Sequence, residues 1–147
     1  MFGLFKKKGK EALAEIKRME NKDLAEGLVG ACLLVAAADG EIEQEEILSL
    51  NKQLEAHPAL AGYGPEIGKM VDKFSKMLDA GFLIGKTQIM REIKDCTHND
   101  QEAEDIFVAA ITIAQSDGEI EPEEVVILKE IGRTLGLNLA SYGIEVA

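Results

Sequence analysis

At 147 residues the chain has room for one domain, and 46% hydrophobic with 29% charged residues is an ordinary globular mixture rather than a disordered one. Its 16 Lys and Arg against 27 Asp and Glu leave a net charge of −11, which repels nucleic acid, and no stripe of basic and aromatic residues offsets it. Two cysteines make no disulfide framework, and no apolar run reaches the roughly 18 residues of a membrane span, so a disulfide-stapled secreted fold and a transmembrane protein are both excluded.

Residues 1–22 form a basic head, with seven Lys or Arg against three Glu; the net of +4 leaves −15 on residues 23–147. The apolar residues Phe2, Leu4 and Phe5 precede Lys6, Lys7 and Lys8, the reverse of a secretory signal. Two readings stay open. Residues 1–10 act as a foot on an anionic membrane surface, or they are a frayed terminus ahead of a solvated helix, Lys10 to Glu20.

The domain proper, 23–147, shows apolar residues recurring at three and four and no alternating β pattern. Helices are predicted over 23–38, 44–56, 65–80, 86–96, 100–115 and 122–135. Asp23 and Asp100 are the expected caps, Pro65 and Pro122 suit first-turn positions, and Gly136 suits a C-terminal stop. His57 is expected at a helix end on the surface and His98 in a polar loop. Cys32 belongs to the apolar helix, while Cys96 is open to solvent contact with only Lys94 near enough to lower its pKa. The fold class is all-α, about seven helices.

Residues 28–46 align without gaps on 106–124, always 78 apart. The match includes Asp39-Gly40-Glu41-Ile42-Glu43-Gln44-Glu45-Glu46 and Asp117-Gly118-Glu119-Ile120-Glu121-Pro122-Glu123-Glu124, each after an apolar helix and before an amphipathic one. Two related helix–loop–helix halves packed about a pseudo-twofold axis follow. The apolar helices should cross at the centre, with Gly30, Ala31, Ala36, Ala109, Ala110 and Ala114 letting the backbones approach.

Each loop resembles the second half of an EF-hand, with Asp39 at position 5, Gly40 at 6 and Glu46 at 12. Position 1 would be Val35, and Ile113 in the second copy, so neither loop closes an oxygen cage alone. Two half-sites suggest one shared site. Asp39, Glu46, Asp117 and Glu124 would form a hard-oxygen set for a divalent cation, Ca²⁺ first, Mg²⁺ or Mn²⁺ as alternatives. The competing account is structural: Asp-Gly makes turns, and acids in a first helical turn favour the macrodipole.

These residues, with the Phe- and Lys-rich start, Gly68-Lys69-Met70 and Leu135-Gly136-Leu137, resemble the tellurite-resistance protein TerB family. The resemblance implies a helical domain with a metal-linked acidic cluster at Asp39, Glu46, Asp117 and Glu124, acting in bacterial stress response. It also implies membrane-embedded TerC-type and calcium-binding TerD-type partners, and a related domain in a membrane-anchored J-domain co-chaperone. The expected place is the cytoplasm, at the inner membrane face if the foot binds.

No phosphate-binding Gly loop, Ser-His-Asp set or Cys-His pair with a third partner is present, so the chain is expected not to be an enzyme. A metal-dependent interaction module is the leading reading. Its rivals are a metal-independent helical scaffold with an acidic partner-binding face and, further back, a metal-assisted hydrolase.

Overall fold

Nine consecutive residues, 27–35, carry no charge, and every one is buried. A helix hydrophobic on all sides belongs in the interior, and this one, α1 (22–36), runs through the core. The computed structural model describes residues 9, 22–116 and 118–144. The predicted helix Lys10–Glu20, and the apolar and lysine residues of the predicted foot, lie outside the described residues.

After α1 come α2 (Gln44–Glu55), α3 (Pro65–Ala80), α4 (Phe82–Lys94), α5 (Asp100–Gln115) and α6 (Pro122–Leu135). Short 3₁₀ turns occupy Pro58–Leu60 and Leu139–Tyr142, and no strand occurs among the described residues. The all-α expectation holds. Pro65 and Pro122 both open their helices, where a missing N–H costs nothing. Gly136 ends α6 in the left-handed region, and the Leu137 N–H donates back to the Gly132 carbonyl at 2.7 Å, closing a Schellman stop.

Three expectations need correction. The cap of α5 is Asn99, whose Oδ1 accepts from the Gln101 and Glu102 amides at 3.0 and 3.1 Å; Asp100 already lies in the first turn, as a charge favoured by the helix dipole. Asp23 is no cap either, because residue 22 is already helical.

The second correction concerns α4, which starts at Phe82 rather than 86 and follows α3 after Gly81 alone. Gly85 disfavours a helix by about 1 kcal/mol relative to Ala. Here its missing Cβ is needed, since one would stand 2.8 Å from the Leu78 amide nitrogen. Close α3–α4 packing overrides the propensity.

The third concerns the centre. Gly30 was expected to admit α5, yet a Cβ there would stand 2.7 Å from Ile89 Cγ2, on α4. It is Gly27 that meets α5, with Ile106 Cδ1 and Cys96 Sγ each 3.1 Å from its hypothetical Cβ. Ile89 of α4 packs onto α1 at that point. Helix α5 keeps an outer face, with Glu104, Val108 and Thr112 exposed. At the far side, Lys86 and Glu130 form a half-buried ion pair of 3.0 Å between α4 and α6.

Candidate metal centre

The described residues of the two Asp-Gly loops are built alike, as the sequence repeat demands. Gly40 and Gly118 take φ of +92° and +108°, a region that favours glycine. The Gly40 N–H donates to the Ala37 carbonyl at 2.9 Å, and the Gly118 N–H to Gln115 at 3.0 Å. Glu43 and Glu121 then enter their helices with ψ of 154° and 152°. The first helical bonds repeat too, Ile47 to Glu43 and Val125 to Glu121, both 3.0 Å. Every partner is displaced by the same 78 positions, so the repeat is structural.

The two halves meet at the starts of α2 and α6. Glu46, exposed, and Glu124, half-buried, line one cleft of about 140 Å³. Ser49, Gln53, Ser116 and Ala36 line it with them. Its polar lining is therefore oxygen-bearing: two carboxylates, two hydroxyls and an amide, with no Lys, Arg or His. That donor chemistry fits a hard divalent cation.

The four predicted residues fare differently. The structure brings Glu46 and Glu124 together. Asp39 is exposed, and its Oδ1 accepts from the Glu41 amide at 3.0 Å, closing its own turn. Asp117 lies outside the described residues. Among the described residues, no three His, Cys, Asp or Glu side chains gather as a metal-binding group. Glu124 also has a structural task, its Oε1 accepting from the Glu121 amide at 2.8 Å.

Ser49, Gln53 and Ser116 were missed, although a signal existed. Glu46, Ser49, Leu50 and Gln53 stand at i, i+3, i+4 and i+7, one face of α2. Ser116 immediately precedes the second Asp-Gly.

Elsewhere, Glu92 on α4 is pushed up to about 7 by burial, then by a hydrogen bond to Glu26 on α1 and by that group's charge; Lys73 opposes the shift and Asp95 adds to it. Both cysteines are buried, Cys96 included. Its thiol donates toward the Asp23 carbonyl at 3.2 Å. Burial pushes both thiols up to about 12, helped at Cys96 by Glu102, Asp23, Asp95 and Glu92. Lys94 does not govern it. His57 is half-buried rather than a surface end, its Nδ1 accepting from the Ala59 amide at 3.1 Å; His98 is exposed in its loop, as expected.

The arrangement defines a class: an all-helical domain built on a repeated helix–Asp-Gly loop–helix unit, whose two acidic helix starts share one oxygen-lined cleft. A family model described as Tellurite resistance protein TerB matches residues 25–143. The chain belongs to that family, which is associated with tellurite resistance. No curated protein and no solved structure matches it. No helix among the described residues is long and apolar enough to cross a membrane.

Proposed function

We propose that this chain is a divalent-cation-binding interaction module of the tellurite and chemical stress response, working with membrane-associated Ter-type partners and not as an enzyme. The observation that carries the reading is the shared cleft: Glu46 and Glu124, repeat mates from opposite halves, line the same small space. A cation held there, Ca²⁺ first and Mg²⁺ or Mn²⁺ next, offsets the repulsion of the carboxylates and ties the start of α2 to the start of α6. In this reading Asp39 turns from the Glu41 amide to join the set, with Asp117 as its repeat mate, and the halves pack with a pseudo-twofold relation. The raised thiol pKa values support a role without cysteine chemistry on an oxyanion, because the thiolate is the nucleophile. The proposed place of work is the cytoplasm, peripheral to the inner membrane through residues 1–10.

One observation favours the metal-independent scaffold. Asp39 and Glu124 each accept a backbone N–H of their own loop, which is what turn-forming and capping residues do. Calorimetric titration of the demetallated chain with Ca²⁺, Mg²⁺ and Mn²⁺ separates the two. The module gives one site per chain, lost alike in Glu46→Gln and Glu124→Gln, and chelation lowers the Tm. A scaffold gives no binding heat and an unshifted Tm, while two sites that survive singly in each variant would break the shared-site idea.

A further inference from the structure

Helix α2 packs on α3, but the seam between them does not close. Ile42, Ile47, Leu48 and Val71 line a groove of about 470 Å³ there. Ile42 and Asp79 also belong to a second recess of about 290 Å³, which Phe82 lines at the start of α4. The two recesses share Ile42 and Asp79 as a common wall. Leu48 is 57% exposed, a large apolar side chain left in water on the groove wall. The 12 residues of α2 run about 18 Å, so the seam offers length for roughly three turns of a docked helix.

The rim is acidic. Asp79, Glu41 and Glu43 are exposed around the recess. The one cation among the described lining residues, Lys76, is engaged by Asp72 at 3.0 Å. A trough of helical length that mixes Ile42, Ile47 and Leu48 with Gln44, Asn51 and Ser75, under an acidic edge, selects its occupant by charge. The body of a second copy, with −15 on residues 23–147, meets like charge there, and so does an anionic membrane.

We propose that the α2–α3 groove docks a basic amphipathic helix of a partner protein. Its apolar stripe lies along Ile42, Ile47 and Leu48 toward Phe82, and its Lys or Arg side chains lie over Asp79, Glu41 and Glu43. The assignment rests on the interaction-module reading but on none of the cleft residues. Binding measured in EDTA therefore tests the groove, and cation binding tests the cleft; either can fail alone.

The probe is a labelled Leu/Lys peptide of about 18 residues, five helical turns, titrated with the intact chain by fluorescence anisotropy. Saturable binding is expected, weakened about fivefold or more by Leu48→Ser and by Asp79→Lys, the equivalent of losing one modest contact. Both residues are exposed, so both variants keep the fold, and far-UV circular dichroism checks it. Val126→Ser is the internal control: Val126 is the repeat mate of Leu48 and equally 57% exposed, but lies outside the groove lining. It should bind as the parent does. A scrambled peptide of the same composition should bind more weakly. Equal binding by Leu48→Ser and the parent, or by the scrambled and patterned peptides, overturns the proposal. A concentration-dependent dimer that Leu48→Ser dissolves and the peptide does not displace gives the groove to a second copy and overturns it too.

Discussion

Replacing Glu92 by Gln isolates the acid pair that joins α1 to α4. The Glu92 carboxyl is held at about 7 rather than 4.5, chiefly by burial and then by its hydrogen bond to Glu26 and that neighbour's charge. Glu26 also has Lys22 at 3.9 Å. The unfolded chain releases the Glu92 proton near the ordinary carboxylate range, whereas the native chain keeps it until about 7. The native state therefore binds more protons across that window, and the contribution to stability is lost as pH rises through about 7. At about 1.36 kcal/mol per pH unit, a fully shielded group would contribute about 3 kcal/mol. Glu92 is half-buried and Lys73 lies near it, so screening reduces this to about 1 kcal/mol. Glu92→Gln is neutral at every pH, so relative to the parent it should gain about that much between pH 5 and pH 8. Urea denaturation of both chains at four pH values across that range measures the gap. A gap that stays constant from acid to base would refute the reasoning.

Gly132→Ala should lower stability by about 1–3 kcal/mol or more in thermal unfolding, because its Cβ would stand 2.6 Å from the Leu137 carbonyl oxygen and 2.9 Å from Phe107 Cζ. The thiols of Cys32 and Cys96 should resist a thiol-specific disulfide reagent in the native chain at pH 8 and both react after urea; fast native labelling at Cys96 would contradict its burial. Anionic vesicles should sediment the intact chain and release it in high salt, and replacing Lys6, Lys7 and Lys8 by Gln should weaken this. Sedimentation unchanged by that replacement would reject the foot.

The helices were legible because their signals are local. Period three-to-four patterning, Pro65, Pro122 and Gly136 mark α3 and α6 to the residue. What escaped was decided by contacts distant in sequence. The glycines at 81 and 85 look like a break until Leu78 is seen to need the space over Gly85. Asn99 and Asp100 are adjacent, and composition cannot say which one turns its side chain onto the helix start. The acidic cleft was half legible: the constant offset of 78 pairs Glu46 with Glu124, but the loop spacing says nothing of where the Asp39 carboxylate turns. Glu26 and Glu92 share no motif, and only the approach of α1 to α4, which also sets Gly30 against Ile89 and the Glu92 carbonyl 3.6 Å from a Cβ at Gly27, explains their meeting.

The burial of residues 27–35 of α1 on every side has a consequence for how this chain can vary. Along α5 the exposed positions Glu104, Val108 and Thr112 recur four apart, so substitutions there are absorbed by solvent in a regular beat. Residues 27–35 have no such rest. Each of the nine faces protein, and two are glycines already at the limit of approach. Drift in the outer helices is therefore free to be gradual, whereas a change in this stretch must be matched by a simultaneous change in whichever helix it faces. A single substitution there should cost more stability than one on the exposed face of α5.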